Sequence, residues 1–390
     1  MNVDFTSLDE MLSERGLDGY LLDADSDLAD QRYLSGFDAP DPFVTLYTPE
    51  TSALLVSTLE YGRAKDESRA DEVRQYADFD RRALVDEYGE TEGHVRTIRR
   101  FLDEFDVDGV ATNERFPLET ADYLRELGLR VRPDSTDTVE KIRAVKTQTE
   151  IKSVRETQRA NEAAMATAER LFTEATVDDG VLQYEGEPLT SERVRRAIET
   201  TLLDHGCGLD ETIVAAGREA ASPHDRGSGP IPADEPVVVD IFPRNRETGY
   251  HADMTRTFLV GTPSEAVAGF HELTREAKRA ALETVEAGVT GGAVHDAACR
   301  VYEEEGFPTL RTAEGTERGY IHNTGHGVGL EVHERPRLAR NGEELEAGNV
   351  VTVEPGLYDP DVGGVRIEDL VVVTEDGYEN LTDYHETLVV

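Results

Sequence analysis

Apolar positions in the first third of the chain switch between two rhythms. Residues 7–16, SLDEMLSERG, place them at helical spacing, with Ser7 as N-cap, Glu10 three residues on and Gly16 as the stop; this predicts a capped amphipathic helix. GYLLDA (19–24) is a short continuous apolar run and predicts a buried strand. FVTLYT (43–48) and SALLVS (52–57), on either side of a Pro-Glu turn, predict a hairpin. Helical spacing returns over 93–106 and 117–128, with VDGVAT (107–112) as a strand between them. Such alternation of strand and helix predicts a small α/β domain over residues 1–135. It holds no cluster of histidines, cysteines or paired acids at ligand spacing.

A different order begins near residue 136, so a second domain is expected over 136–390. DTVEKIRAVKTQTEIKSVRETQRANEAAMATAERLF opens it and continues into a long helix, expected over 149–175. From there one plan runs twice. The first pass is the long helix, a second helix opened by Thr190-Ser191, and the strands ETIVAAG, PVVVDIF and YHADMTRTFLVG. The second is a long helix over 264–287, a helix from Gly292 to Glu305, and strands around YIHN, VVTVEPG and GGVRIEDLVVVT. Two helix-backed sheets related in this way bring residues of both halves to one central seam, and the fold class expected is α+β.

Charge changes the picture at the surface. The 390 residues, 38% of them hydrophobic, hold 81 acidic against 40 basic side chains, a formal net charge of −41. Acidic residues run through the whole chain, and lysines number only five. Spread acidity of this kind suits a protein working in high salt, where self-repulsion is screened, and a halophilic setting is expected. The competing reading is a surface for a basic partner, but no block of like charge stands out. The basic stripe that nucleic acid requires is missing. Cys207 and Cys299 lie far apart and are expected to be free thiols, as in a reducing cytoplasm. Neither a signal-peptide pattern nor an apolar run long enough to span a membrane is present.

Candidate chemistry collects in the second domain. Asp240 lies in VVVDIF, Asp253 in HADMTRTF, His326 in HNTGHGVGL, Glu354 in VVTVEPG and Glu368 in GVRIEDLVVV. Each has an ordinary alternative when taken alone: a strand-end cap, a turn residue, a solvent-facing strand position. Together they put one imidazole and four carboxylates on or beside apolar runs, and buried bare charge is very costly. Two divalent cations account for the set. An oxygen-rich site with one imidazole suits Mn(II), Co(II), Fe(II) or Zn(II), and two such ions acidify a shared water into a hydrolytic nucleophile. Gly325 and Gly327 would let backbone approach closely around His326. His224 in ASPHDRG, His322 and His333 are candidates for proton transfer or for holding an intermediate, against a plain hydrogen-bonding role for each. Arg366, two residues before Glu368, would share its sheet face and pair with a carboxylate.

The motifs SPHD, DIF…GYHADMTRTF, HNTGHGVGLEVHE, VEPGLY and GGVRIEDLVVV, in this order over about 140–385, resemble the M24 metallopeptidases of creatinase or pita-bread fold. Residues 1–135, with DQRYLSGF as the best mark, resemble the creatinase-type N-terminal domain. The resemblance implies Asp240, Asp253, His326, Glu354 and Glu368 as the ligands of two divalent metal ions, Mn(II) first, with Asp253 and Glu368 bridging. It implies Glu354 as general base, His224 at the substrate or intermediate, His333 in proton transfer at the scissile amide, and Arg366 supporting a ligand or the substrate. The N-terminal domain speaks against a minimal methionine aminopeptidase, and the intact ligand set against creatinase. What remains is an Xaa-Pro dipeptidase or aminopeptidase acting on short proline-containing peptides, a cytoplasmic homodimer by the same resemblance. The alternatives are a non-proline amide hydrolase of the same fold and a metal-binding relative that only binds. One departure stands out: Asp240 is followed by Ile-Phe-Pro, and the longer gap to Asp253 is expected to be absorbed in the turn at 244–249.

Overall fold

The computed structural model describes residues 3–209 and 211–390, which form two compact units, one running to Arg143 and the other from Ala144 to Val390. In the first unit six strands make one sheet: β1 (Gly19–Ala24), β2 (Phe43–Tyr47), β3 (Ser52–Val56), β4 (Glu72–Gln75), β5 (Gly109–Thr112) and β6 (Arg130–Pro133), in the order β4-β3-β2-β1-β5-β6. β1 to β3 pair antiparallel, and β4, β5 and β6 join in parallel. α1 (Thr6–Arg15), α2 (Glu90–Glu104) and α3 (Leu118–Glu126) fall where the apolar spacing places them. Val95, Ile98, Phe101 and Leu102 form one stripe of α2 and join Leu21, Leu46, Val110 and Leu124 in the core.

Ser7 is not the N-cap of α1. The helix starts at Thr6, whose N–H is taken by Asp4 Oδ1 at 2.9 Å, so an acceptor ahead of Ser7 opens it earlier. Gly16 ends it in the left-handed conformation, φ 60°, as expected.

The second unit shows the doubled plan. α4 (Gln148–Thr173) and α5 (Ser191–Asp204) back a sheet of β7 (Thr212–Ala216), β8 (Val237–Ile241) and β9 (Met254–Phe258). α6 (Glu265–Leu282) and α7 (Gly291–Glu304) back the second sheet, in the order β11-β10-β12-β15-β16. Its strands are β10 (Gly325–Gly327), β11 (Glu334–Leu338), β12 (Val350–Val353), β15 (Asp369–Thr374) and β16 (Gly377–Asn380). Each half has its own core. Met165, Phe172, Val239 and Phe258 belong to one; Ala281, Tyr302, Val351 and Val371 belong to the other. All four helices open on a hydroxyl cap: Thr147, Thr190, Ser264 and Thr290.

The long helix expected over 149–175 is α4; a short helix, Thr138–Ala144, precedes it, and between the two Val145 pairs with Asn349 and the Lys146 N–H is taken by Gly348 O. Two strands expected from the sequence differ in the structure. YIHN forms no strand; Tyr320 makes one isolated bridge to Thr309. GGVRIEDLVVVT is two strands rather than one. β14 (Gly363–Arg366) pairs with β13 (Gly356–Asp359), whereas β15 pairs with β12, so the chain changes sheets at Ile367-Glu368. The turn after Arg244 does close on itself: Gly249 donates to Asn245 O, and Asn245 Oδ1 accepts from Glu247 and Thr248. No described helix is long and apolar enough to cross a membrane. Both cysteines are free and buried.

Candidate metal centre

The five residues singled out in the sequence meet at the seam between the two halves. Asp240 sits within β8 opposite Thr255, and Asp253 immediately precedes β9. His326 is the middle residue of β10. Glu354 follows β12, and Glu368 lies at the crossing between β14 and β15. Three are therefore strand-end residues, where a side chain reaches inward without disturbing the ladder. Glycine is required beside His326: a Cβ on Gly325 would lie 2.0 Å from Thr352 O, and one on Gly327 would lie 2.0 Å from Arg335 O.

Donor atoms of Asp253, His326 and Glu368 lie within 4.8 Å of one another. His326 Nε2 is 3.7 Å from Asp253 Oδ2 and 3.4 Å from Glu354 Oε1. These are not ion pairs. His326 Nδ1 lies 3.1 Å from Gly327 O, which fixes the proton on Nδ1 and leaves Nε2 as a lone pair. Burial, reinforced by His333, holds the imidazole down at about 3, so it is neutral. A lone pair thus faces carboxylate oxygens, an arrangement that a cation between them turns from repulsive to attractive.

The carboxylates carry the same signature. Burial, then repulsion from Glu368, Asp240 and Glu354, raises Asp253 well above the usual range. Burial and the neighbouring Glu354 and Asp240 do the same to Glu368. Burial lifts Glu354 to about 7 against the opposing pull of Arg366. The buried Oδ1 atoms of Asp240 and Asp253 find no hydrogen-bond partner among the described residues. Orphaned, buried, mutually repelling carboxylate oxygens facing an imidazole lone pair are a donor set that fits divalent cations.

Protein donors cover the outer side. Thr255 Oγ1 donates to Glu368 Oε2 at 2.8 Å, and the Glu368 N–H is taken by Thr255 O. Arg366 spreads its guanidinium over Asp240 Oδ2 (2.6 Å), Thr255 Oγ1 (3.1 Å), Tyr358 Oη (3.1 Å) and Pro223 O (3.3 Å). The expectation that Arg366 pairs with a carboxylate holds, with Asp240 as partner. The shared-face reasoning does not, because the strand breaks between Arg366 and Glu368.

His333 stands over His326 with ring centroids 4.3 Å apart and planes at 67°. It is exposed on its far side, and burial together with a nearby His224 lowers its pKa. His224 is exposed in the loop after β7. His322 Nδ1 lies 2.7 Å from Asn323 O, so its Nε2 accepts from Tyr358 Oη at 2.9 Å; burial and Arg366 hold it at about 3. Tyr358 Oη in turn accepts from Arg366. Tyr358 is not among the residues that the sequence singles out. Its only signal was its place in VEPGLY, since a phenol linking an arginine to a histidine has no local pattern.

Residues 152–375 match the model of Metallopeptidase family M24, and residues 5–145 match that of the Creatinase/Prolidase N-terminal domain. The Xaa-Pro dipeptidase of Pyrococcus furiosus is 29% identical over 350 residues, covering 88% of this chain and 86% of that protein. Among solved structures, the prolidase from Pyrococcus horikoshii OT3 superposes with a TM-score of 0.80 at 26% identity, over 98% of both chains. The X-Pro aminopeptidase from Thermotoga maritima gives 0.79 at 27% identity, also over 98% of each.

Proposed function

The chain belongs to metallopeptidase family M24, and on that premise we propose that it hydrolyses the amide bond preceding proline, with Xaa-Pro dipeptides as its principal substrates. The observation that carries this reading is the buried meeting of one imidazole and four carboxylates, two of them with orphaned oxygens, in a chain similar along most of its length to an Xaa-Pro dipeptidase. Divalent metal ions go with the family. We assign two, held by Asp240, Asp253, His326, Glu354 and Glu368, with Mn(II) first and Co(II), Zn(II) or Fe(II) as other ions that suit the donors. Bound there, they supply Lewis acidity at the scissile amide.

The remaining steps fall to the chain's own side chains. Glu354, at the end of β12 with its Oε1 3.4 Å from His326 Nε2, takes the proton of the attacking water as general base. His333, exposed on one side and packed on His326 on the other, relays a proton to the departing proline nitrogen. His224 donates to the developing oxyanion. Arg366 holds the Asp240 carboxylate in one orientation. We further assign a cytoplasmic homodimer, with an N-terminal domain over 1–135 and the catalytic chemistry confined to 136–390.

The test is hydrolysis of Ala-Pro, Ala-Pro-Ala and Ala-Ala in concentrated salt, by metal-free protein and after adding Mn(II) or Co(II), beside Asp253→Asn. Metal-dependent cleavage of Ala-Pro that Asp253→Asn abolishes supports the reading. Cleavage of Ala-Ala at an equal rate would overturn the proline specificity, and preference for the tripeptide would make the enzyme an aminopeptidase.

A further inference from the structure

His333 makes no side-chain hydrogen bond among the described residues, yet its ring is set at 4.3 Å over His326. Its backbone must therefore aim it. The next residue is Glu334, whose side chain points inward. Glu334 Oε2 meets Lys146 Nζ at 3.0 Å, and both side chains are 1% exposed. Glu334 Oε1 accepts the backbone N–H of Glu331 at 3.0 Å. The loop 328–333 is thus wound around this one carboxylate. At Gly329 the winding is so tight that a Cβ would lie 2.4 Å from Glu334 Oε2. The loop's near end is tied in as well: Val328 donates to Val350 O, and Gly329 O accepts from His251, two residues before Asp253. Lys146 is anchored by its own N–H to Gly348 O.

A lysine–carboxylate pair sealed from water adds little net stability, because desolvation offsets most of the attraction. What this pair does provide is one geometry for the six residues that precede Glu334. We propose that Lys146 and Glu334 are positioning residues that hold His333 in place for proton transfer. The kinetic part of this proposal rests on the peptidase reading above; the positional part does not.

The test is a double-mutant cycle between Lys146→Met and His333→Ala, with kcat, KM and bound metal measured for each protein. The expected result is a loss of about 10–100-fold in kcat for Lys146→Met, the scale of a misplaced proton-transfer group, with KM and metal content little changed. In the His333→Ala background the same substitution is expected to cost almost nothing further. An equal loss in both backgrounds, or a loss carried by KM or metal content, overturns the proposal. Should Lys146→Met not fold, the neutral pair Lys146→Met/Glu334→Gln removes the uncompensated buried charge and is read in the same way. A second readout needs no substrate: NMR relaxation of ¹³C-labelled histidine rings. Increased mobility of the His333 ring in the variant supports positioning even if the wild-type protein cleaves no Xaa-Pro peptide, and an unchanged ring overturns it.

Discussion

Arg366 Nη2 lies 2.6 Å from Asp240 Oδ2, and both side chains are buried at the seam between the two sheets. This contact ties β14 to the middle of β8 across 126 residues of sequence. The same guanidinium also reaches Thr255, which orients Glu368, and Tyr358, which holds His322. One planar fork thus braces two carboxylates and a histidine.

A lysine in its place retains the charge but cannot serve four acceptors in a fixed fan. Arg366→Lys is expected to weaken Mn(II) or Co(II) binding by about 10–100-fold, the usual cost of losing a group that orients metal ligands. Isothermal titration of the metal-free protein measures this directly. Unchanged affinity would show that Asp240 is oriented without Arg366.

In the absence of metal, the raised carboxylates give stability a defined pH dependence. Burial lifts Glu354 to about 7 in the folded chain, above an ordinary glutamate at roughly 4.3. Between these values the folded state binds more protons than the unfolded one, so stability falls as pH rises. The chelated protein should therefore lose thermal stability from about pH 4.5 to pH 7. Glu354→Gln should flatten that slope, and the difference between the two curves isolates this residue from the general acidity of the chain. Equal slopes would count against a protonated Glu354.

Away from the site, Lys278 Nζ lies 2.5 Å from both Asp369 Oδ2 and Glu386 Oε1, almost wholly buried. Burial alone would raise both acids, but the charge of Lys278, helped by Arg256 at Asp369 and Arg275 at Glu386, lowers them. Removing one partner of a buried pair costs about 3–5 kcal/mol. Lys278→Met should fall at the lower end of that range, because Asp369 keeps Arg256 and Asn380 and Glu386 keeps Arg275. Urea unfolding gives the value. The depressed acids also make this network's contribution fade as pH falls through their folded values.

The net charge of −41 predicts a salt response. At 1 M ionic strength the screening length shrinks to about 3 Å, so repulsion between exposed carboxylates is largely removed. The melting temperature should rise steeply between dilute buffer and about 1 M KCl and then flatten. A flat response at low salt would mean that the surface ion pairs already balance the excess acid.

What could be read without a structure followed from local chemistry. Apolar spacing located α2, α4 and β1 because buried faces repeat at the period of the element that buries them. Thr190 announced its helix because a hydroxyl next to an apolar run caps free N–H groups. Asp240, Asp253, His326, Glu354 and Glu368 stood out because each interrupts an apolar stretch with a group that is costly to bury alone. The opening of α1 was misread at Ser7, because Asp4 offers a competing acceptor three residues earlier. Pairings between distant residues left no such trace. The break at Ile367-Glu368 exists because β14 and β15 choose different partner strands, and the choice depends on the whole sheet. Tyr358 between Arg366 and His322, and Lys146 against Glu334 across 188 residues, were decided only when the fold brought them together. Composition and period set which residues must be buried; tertiary packing alone set which buried polar groups would face one another.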